Sequence, residues 1–483
     1  MHACREECLP NWGNQAALRK ERTMKKKTKD TLAKRLADFV YDLSFKDLPP
    51  EVVEKAKISI LDAMACAFDG FLTETSRIAL AVYQTLKKNG RATVWPSGEH
   101  GNYSDTAWVN CLLVHSMLHD DTQWSAGGHM GSVIIPTAFA IAEEEGKSGS
   151  EVLTAIVAGY EVAARIGVKS CQTIIDRRFR GSGIFGTFAA AVAGGKLLGL
   201  NGKELRHAIN CASTFSAGTL EASNLGTAEW RFQNGAALRS GIIAALLAKQ
   251  GLQAAETALE GKYGFFSAFG GPKLRTKIIS EMDEITGSLG KKFEISENMF
   301  KPYASCGCNQ TGVDITLALA KQNEIKANDV EQIRVRVHPS NRDYPGIKRR
   351  GPFETIDQAL LSKSFSIAAA LKNRDLQTKE YLTLLKDPEI LALTKKTTIE
   401  ADETLEVVDS RLEFVLKNGR IIKGDVSSID QSQYKLDKRM VVEKFRRMSS
   451  QVLSDDSSSR LGESIFELEQ VSNISDLTSL LAR

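Results

Sequence analysis

Helical patterning runs through residues 30–270 almost without interruption, and this feature restricts the possible folds more than any other. In the stretch EVVEKAKISILDAMACAFDG the apolar residues recur at steps of three and four, and Gly70 marks a helix stop. The stretches TFAAAVAGGKLLGL and GAALRSGIIAALLAKQG are rich in alanine and glycine, whose small side chains let helices approach closely. We therefore predict that residues 30–271 form one large all-helical domain.

The pattern changes after residue 271. The stretch VEQIRVRVHPS alternates apolar with basic residues, which predicts a strand with one solvated face. In RLEFVLKNGRIIKGDV two alternating runs are joined by Asn418 and Gly419, a pair that favours a type I′ hairpin turn. We predict that residues 272–430 form a smaller α+β domain and that residues 431–483 return to helix and pack back on the helical domain. The expected fold class is mostly α.

The composition of this 483-residue chain excludes several classes of protein. Its 63 basic residues nearly match its 59 acidic ones, and the net charge of +4 indicates no nucleic-acid surface. No apolar run approaches the roughly 18 residues that span a bilayer, so we expect no membrane association. The beginning of the chain lacks the apolar segment of a secretory signal, and residues 1–29 are expected to be a disordered extension. The dispersed cysteines then indicate reduced thiols and a cytoplasmic protein.

The stretch HDDTQWSAGGHMG, residues 119–131, concentrates groups that can do chemistry. A metal could be held by Asp120, Asp121 and His129, but no second acidic cluster assists them, so we predict no metal site. For acid–base chemistry the stretch offers His129 and Asp121, with Thr122 able to hydrogen-bond a substrate oxygen. The alternative is a polar loop in which an aspartate caps the following turn. The residues alone leave these two hypotheses open.

Two further motifs, GSGIFG and a pair of cysteines, also admit both a functional and a structural interpretation. GSGIFG matches the G-x-G-x-x-G pattern but follows no strand, so we expect no nucleotide binding. It opens a helix whose Gly181 and Gly183 expose backbone N–H groups beside Arg180, which suits a carboxylate. The alternative is a helix start packed for close contact. Cys306 and Cys308 form a C-x-C pair, which is weak evidence for a metal.

Four motifs in order resemble the MmgE/PrpD family. They are VHSMLHDDTQ with GGHMGSVIIPTAFAIAE, RFRGSGIFGTFAAAVAGGKLLGL, EWRFQNGAALRSGIIAALLAKQG and MFKPYASCGCNQTGVDITLALA. The resemblance continues from about residue 30 to the C-terminal helices. The family includes 2-methylcitrate dehydratases, cis-aconitate decarboxylases and iminodisuccinate epimerases. The resemblance implies a large helical domain plus a smaller α+β lid domain, a homodimer, a small polycarboxylate substrate and no cofactor.

The chain keeps part of the acidic segment that the resemblance implies. The family pattern His-x-x-Asp-x-Asp-Asp-Thr is represented here by His115, Asp120, Asp121 and Thr122. Leu118 occupies the position of the first aspartate in that pattern. The histidine of the following Gly-His-Pro corresponds to His129, and Met130 replaces the proline.

The other motifs combine agreement with departures. Lys301 matches the lysine that opens the lid motif. Arg180 stands where the family often has a histidine, and Trp230 next to Arg231 stands where many members have a lysine. Cys306 occupies a position at which decarboxylase-like members have a histidine. These departures argue against an unaltered cis-aconitate decarboxylase.

The resemblance implies chemistry at a proton on a carbon next to a carboxylate. Negative charge then develops on that carboxylate and is best held by pre-placed cations and N–H dipoles. We expect His129 to be the general acid/base, because its usual pKa near 6.5 suits both directions of transfer. Asp121 would orient His129 or take the proton. The expected catalytic residues are His129, Asp121, Asp120, Thr122 and Lys301. The expected substrate-binding residues are Arg180, Arg231, Gly181, Gly183 and Cys306.

The expected activity is that of a cofactor-independent carbon–oxygen lyase, most simply the dehydration of a 2-methylcitrate-like tricarboxylic acid. Decarboxylation of the cis-aconitate type and epimerisation of a dicarboxylate such as iminodisuccinate are alternatives. They use the same proton chemistry. A further alternative, of another class, is a homologue that binds such acids without turnover.

Overall fold

A computed structural model describes residues 30–429 and 438–481 of the chain. The disordered extension predicted for residues 1–29 lies outside the described residues.

The first half of the described chain is helical, with one short antiparallel ribbon. Its elements are α1 (Leu32–Asp42), α2 (Pro50–Phe71), α3 (Glu74–Leu86), β1 (Ala92–Thr93), β2 (His100–Gly101), α4 (Tyr103–Val114), α5 (Gly131–Glu145), α6 (Gly149–Gly167), α7 (Cys171–Asp176), α8 (Gly181–Leu197), α9 (Gly202–Phe215), α10 (Glu221–Leu225), α11 (Glu229–Lys249), α12 (Phe265–Ser280) and α13 (Met282–Thr286).

Several of these helices begin where the sequence supplies a capping residue. The side chain of Ser148 accepts from the backbone N–H of Glu151 at the start of α6, and the Glu151 carboxylate bonds back to the N–H of Ser148. Asn201 and Glu204 form the same reciprocal pair at the start of α9. Such capping boxes satisfy backbone N–H groups that have no partner within the helix. They therefore set where the helices begin.

Helix α8 lies at the centre of the helical part. Every residue of it apart from Lys196 is buried, and it packs against α5, α6 and α11. The helices approach so closely that a Cβ added at Gly241 would lie 2.5 Å from the Cβ of Ala190. The alanine- and glycine-rich stretches therefore form the buried centre, as the sequence predicts.

The second half of the described chain combines helices with a four-stranded sheet. Its elements are α14 (Gln310–Gln322), β3 (Val330–Val337), α15 (Pro339–Arg342), α16 (Ile356–Leu361), α17 (Lys363–Asn373), α18 (Thr378–Leu384), α19 (Pro388–Lys395), β4 (Thr397–Ala401), β5 (Ser410–Leu416) and β6 (Ile421–Gly424). The strand order is β4-β3-β5-β6, with β3 parallel to β4 and antiparallel to β5. In β3 the apolar residues are buried and Arg336 is exposed, which confirms the predicted strand with one solvated face.

The predicted hairpin between β5 and β6 is present, but its turn is not type I′. The backbone N–H of Leu416 donates to the carbonyl of Arg420 at 2.8 Å, which closes a three-residue loop. Gly419 has φ of +85°, whereas Asn418 is not among the residues with positive φ. A type I′ turn needs positive φ at both central residues. The prediction of this turn type was therefore wrong, although the hairpin was confirmed.

The C-terminal helices are α20 (Lys438–Ser449), α21 (Asp455–Phe466) and α22 (Ile474–Thr478). Helix α20 packs along α2, and the rings of Phe68 and Phe445 lie 5.9 Å apart. The apolar core of the helical part takes in these helices, whereas a second core fills the α+β part. The fold is thus mostly α, with a large helical part and a smaller α+β part. Among the described helices, none has both the length and the apolar character that crossing a bilayer requires.

Candidate active site

The segment between α4 and α5 lies at the boundary of the two cores and holds two histidines on either side of an aspartate. His115 follows α4 directly, and its Nδ1 lies 2.8 Å from Oδ2 of Asp120. The other oxygen of Asp120, Oδ1, lies 3.9 Å from Nδ1 of His129 and has no hydrogen-bond partner. The two imidazole rings are 4.7 Å apart. Both histidines therefore share the charge of one buried carboxylate.

His115 is fully committed to neighbouring groups. Its Nε2 lies 2.7 Å from the guanidinium of Arg180, which can only donate. The proton of the neutral ring must then be on Nδ1, which donates to Asp120. Burial lowers the pKa of His115 to about 4, although Asp120 opposes this. His115 is therefore a neutral, fully hydrogen-bonded histidine at physiological pH.

His129 keeps one ring nitrogen available. Its Nδ1–H donates to the backbone carbonyl of Asp121 at 2.7 Å, and its backbone N–H donates to Ser182 at 3.0 Å. No hydrogen bond from the described residues reaches Nε2 of His129. Burial and the nearby ammonium of Lys301 hold the pKa of His129 below its usual value. The ring is therefore neutral, with an unshared electron pair on Nε2.

Asp121 does not orient His129 through its carboxylate, so the first of the two roles predicted for that side chain was wrong, and its role as a proton acceptor stays a prediction. Its oxygens accept from Tyr160 at 2.7 Å, from Gly131 at 3.0 Å and from Asn298 at 3.1 Å. Burial, reinforced by the charge of Asp120, raises the pKa of Asp121 to about 7. The carboxylate fixes the start of α5, because Gly131 is its first residue. Asp120 is the acid that stands beside both histidines.

Two buried cations stand behind the histidines. Arg180 donates to Asn234 at 2.5 Å and to the carbonyl of Trp230 at 3.1 Å, in addition to His115. Lys301 donates to the carbonyl of Leu118 and lies 3.5 Å from Nδ1 of His129. Among the described residues neither cation forms an ion pair.

Leu118 explains why Lys301 has no carboxylate partner. Leu118 has φ of +53°, in the left-handed region that a leucine seldom adopts, and in this conformation its carbonyl accepts from Lys301. An aspartate is expected at this position from the family pattern. The ammonium thus bonds to a neutral carbonyl, and its positive charge is left for another anion.

Arg231 is not available as a substrate clamp, contrary to the prediction. Its guanidinium forms a buried ion pair with Asp357 and donates to the carbonyl of Ser116 at 2.6 Å. The indole of Trp230 lies under the guanidinium, 4.0 Å away, and donates to the same carboxylate at 2.9 Å. This cluster links α11 to α16, so its first role is to join the two halves of the chain.

The two glycines predicted to seat a carboxylate are packing positions instead. A Cβ added at Gly181 would lie 2.2 Å from the carbonyl of Gly127, and one at Gly183 would lie 2.2 Å from the carbonyl of Ala217. Neighbouring backbone therefore covers the start of α8. Of the two hypotheses for this motif, the structure favours the closely packed helix start.

A cleft of about 130 Å³ opens beside His129 and is lined by both halves of the chain. The helical part contributes Thr122 and His129, and the α+β part contributes Cys306 and Tyr344. The hydroxyl of Thr122 is buried and has no hydrogen-bond partner among the described residues. Tyr344 also lines a larger surface depression of about 610 Å³ that contains three basic residues, Arg178, Lys348 and Arg349, together with Glu221 and Asp343. Tyr344 therefore connects the cleft with a charged depression on the surface.

Several residues that support this site were missed by the sequence analysis. Lys444 on α20 donates to Asp62 and to the carbonyl of His119, both at 2.7 Å, and lies 3.4 Å from the carbonyl of Lys301. Lys444 therefore connects the segment that carries His119 with the segment that carries Lys301. His115 belonged to the recognised acidic pattern, but only the fold reveals its pairing with Arg180. No local pattern could have indicated Lys444.

The ligand atoms of His115, Asp120 and His129 lie within 4.8 Å of one another, so geometry alone would allow a metal ion. The surrounding charges disfavour it. A dication there would lie beside the guanidinium bonded to His115 and the ammonium 3.5 Å from His129. The arrangement is better suited to an anion, which both cations attract.

Comparison with known proteins identifies the family. The chain matches the MmgE/PrpD N-terminal domain over residues 34–277 and the MmgE/PrpD C-terminal domain over residues 303–469. It therefore belongs to the MmgE/PrpD family, as the resemblance of its motifs indicated.

Three relatives show how far the similarity extends. Cis-aconitate decarboxylase of Aspergillus terreus is 26% identical over 486 residues, covering 95% of this chain and 98% of the relative. The cis-aconitate decarboxylase-like protein oryM of Aspergillus oryzae is 25% identical, covering 92% of this chain and 96% of the relative. Cis-aconitate decarboxylase of Homo sapiens is 30% identical over 52% of this chain and 53% of the relative.

Proposed function

We propose that this protein is a lyase that acts on a small tricarboxylic acid without a metal or an organic cofactor. The observation that carries the proposal is the setting of His129 beside the cleft, where no hydrogen bond from residues 30–429 or 438–481 reaches its Nε2. Arg180 and Lys301 lie nearby as buried cations, and within the same residues neither has a carboxylate partner. A buried charge is costly unless it is paired, so these cations favour a bound anion. The proposal includes the homodimer that the family resemblance implies and the cytoplasmic location that the dispersed cysteines indicate.

Decarboxylation of a cis-aconitate-like acid is the first reaction to test. Two relatives that match nearly the whole chain are named as cis-aconitate decarboxylase and a decarboxylase-like protein, which supports this choice. In such a reaction the bond between a carboxyl group and its methylene carbon breaks and CO₂ leaves. The electron pair forms a new double bond, and the former double bond shifts its electrons to the carbon beside another carboxylate. That carbon must then receive one proton.

His129 is the proposed donor of that proton. In the free protein its ring is neutral, because burial and Lys301 lower its pKa. Binding of a tricarboxylate adds negative charges beside the ring and raises its pKa, so the substrate itself favours the imidazolium. Thr122 is proposed to position a carboxylate, since its buried hydroxyl has no hydrogen-bond partner in the part of the chain that the structure describes. Asp120 holds the charged ring after protonation, through the oxygen that lies 3.9 Å away.

Dehydration of a 2-methylcitrate-like acid is the second candidate. It removes a proton from carbon and protonates the departing hydroxyl, so it needs two proton-transfer groups. The observation that favours it is that two groups able to carry a proton, His129 and Cys306, line the same cleft from opposite halves of the chain.

The test is proton NMR in D₂O with cis-aconitate, 2-methylcitrate, citrate and iminodisuccinate. Decarboxylation gives new olefinic signals from a product with one deuterium incorporated on carbon, and dehydration gives an unsaturated acid from the hydroxy acid. Deuterium exchange without a new double bond would indicate an epimerase and contradict the lyase proposal. Absence of any change with all four acids would favour the binding homologue. His129→Asn should abolish whichever reaction is found.

A further inference from the structure

Two cysteines of the α+β part stand two positions apart on the wall of the cleft. Cys306 is 9% exposed and Cys308 is 8% exposed, and both line the same cavity as His129. The turn that carries them is firmly held: the N–H of Cys306 donates to the carbonyl of Leu360 at 3.2 Å, and the buried Lys363 donates to the carbonyl of Cys308. The thiol of Cys306 is therefore presented to the cleft by a rigid loop.

The groups around Cys306 stabilise a negative charge on its sulfur. The neighbouring Cys308 favours the thiolate most strongly, and the positive charges of the buried Lys301 and Lys363, which belong to two other segments, favour it further. These effects together outweigh burial and lower the pKa of Cys306 to about 6. Burial raises the pKa of Tyr344, which lines the same cleft, above its usual value, so its hydroxyl stays neutral.

Another thiol on the same cleft supplies a matched contrast. Cys171 lines the cavity from the helical part, but burial raises its pKa to about 12. Two cysteines with similar access to the cleft thus differ in their surroundings, because only Cys306 has neighbouring cations. The thiolate, and not the thiol, is the nucleophilic form of cysteine.

We propose that Cys306 is a nucleophilic cysteine of the substrate cleft, which small anionic electrophiles alkylate and which exchanges a proton with the bound acid opposite His129. The first part stands on the cleft, the paired thiols and the two lysines. The second part rests on the proposed function. Its ligand class is small carboxylates, because Lys301 and Lys363 attract an anion as well as the thiolate.

The first experiment compares alkylation by iodoacetate and by iodoacetamide at pH 7, each rate being divided by that of free cysteine. The thiolate attacks the methylene carbon, the carbon–iodine bond breaks and iodide leaves with the electron pair, the thiol proton having passed to solvent. Peptide mapping should show Cys306 modified first and Cys171 unmodified. The normalised rate should favour the anionic reagent by about tenfold or more. Cis-aconitate should protect, and Cys308→Ala should raise the pH midpoint of alkylation.

The alkylation result overturns the proposal if Cys306 reacts no faster than Cys171, or if the anionic reagent has no advantage. Catalysis is tested separately with Cys306→Ser, whose hydroxyl does not ionise in this range. Its kcat should fall about 10²-fold with KM changed little. Cys211→Ser, far from the cleft, is the control. If an acid is turned over and Cys306→Ser keeps its kcat, the catalytic role is overturned while the lyase assignment stands. If no acid is turned over, the catalytic role falls with the proposed function, and alkylation alone decides the nucleophilic role.

Discussion

Two sets of residues in this site differ in how completely their polar groups are paired. The inner half comprises His115, Asp120, Arg180, Arg231 and Asp357. The open wall comprises Thr122, His129 and Cys306. In the inner half both ring nitrogens of His115 are bonded, to Asp120 and Arg180, and Arg231 pairs with Asp357, whereas only Oδ1 of Asp120 has no hydrogen-bond partner among these residues. On the open wall neither the hydroxyl of Thr122 nor Nε2 of His129 has a hydrogen-bond partner among the described residues.

The difference shows how the fold divides positioning from chemistry. Satisfied buried networks are rigid and costly to break, because each member would leave another unpaired. Groups without partners beside a cleft are the ones that a bound molecule can satisfy. Residue types alone do not separate the two halves, since each contains a histidine and a charged neighbour. Variants in each half should therefore fail in different ways.

The largest expected effect is on the open wall. His129→Asn keeps the size and hydrogen bonding of the side chain but removes its titration, so kcat should fall about 10²–10⁴-fold. The protein should remain folded, because Nδ2 of the asparagine can still donate to the carbonyl of Asp121. His100→Asn, at the exposed β2, is the control and should keep full activity. Retention of more than about a tenth of the kcat, with an unchanged pH profile, would make His129 a loop residue.

In the inner half a substitution should mainly lower the free energy of unfolding. Arg231→Met removes one partner of a buried ion pair and leaves Asp357 without a cation, bonded among the described residues only to the indole of Trp230, which should cost about 3–5 kcal/mol of unfolding free energy. Denaturant unfolding measures this loss.

Arg239→Met is a matched control for Arg231→Met on the same helix. Arg239 also lies over a tryptophan and pairs with an aspartate, Asp105, but its side chain is 31% exposed. Exposed pairs contribute about 0–1 kcal/mol, so this variant should be far milder. Equal losses from both variants, or a raised KM without any loss of stability in Arg231→Met, would contradict the structural role of Arg231.

Arg231 also shows what the sequence could and could not predict about the site. Its partner Asp357 lies 126 positions further along the chain, and no local pattern reports a contact across that distance. The same holds for Lys444, which reaches Asp62 from 382 positions away. A basic residue next to a recognised motif therefore suggested a substrate clamp. Only the fold reveals that the charge is already paired.

The fold itself was more predictable, because periodicity is local. The apolar steps of three and four predicted the helices, and the alternation in β3 predicted its buried face. The hairpin after it was predicted as well. Its turn type was not, since Asn-Gly also suits a three-residue loop in which only Gly419 has positive φ. Within 119–131, residue types indicated acid–base chemistry, but not that the backbone of Asp121, rather than its carboxylate, would meet His129.

The next prediction concerns the pH dependence of the inner half. The folded pKa of His115 is about 4, whereas an unfolded imidazole titrates near 6.5. Between these values the unfolded chain binds a proton that the folded chain does not. The contribution of neutral His115 is therefore complete above about pH 6.5 and is lost as pH falls towards 4, by up to about 3 kcal/mol. Urea unfolding between pH 7.5 and 5 measures it.

The comparison must be made between the wild type and His115→Gln, because Asp121 acts in the opposite direction. Its folded pKa is raised to about 7, so its ionisation costs stability as pH rises from about 4 to 7. Subtracting the stability profile of His115→Gln from that of the wild type cancels the contribution of Asp121 and leaves that of the His115 imidazole. Parallel profiles would show that His115 does not stay neutral in the folded protein.

A smaller effect links the buried cation to the open wall. Lys301→Met removes the ammonium that lies 3.5 Å from His129 and helps to lower its pKa. The imidazolium, which is the proposed proton donor, then forms more easily, so the limb of the kcat/KM profile that His129 governs should move to higher pH by about one unit. NMR titration of the His129 ring gives the same pKa without a substrate. Lys196→Met, at the half-buried position of α8, should leave both unchanged, and a downward shift in Lys301→Met would contradict the assignment.

The smallest expected effect is that of chelation, which should leave activity unchanged. His115, Asp120 and His129 are close enough to hold a metal, but the inner half already uses both nitrogens of His115, and Arg180 and Lys301 repel a cation. Dialysis against EDTA followed by elemental analysis and an activity assay makes the test, with zinc and manganese added back separately. The charges of Arg180 and Lys301 favour a carboxylate between the two histidines, so added metal should not raise activity. Excess zinc should inhibit only by occupying the open wall. Loss of activity on chelation, with recovery on addition of one metal per chain, would contradict this prediction. His115 and His129 would then be metal ligands, and not a positioning residue and a general acid/base.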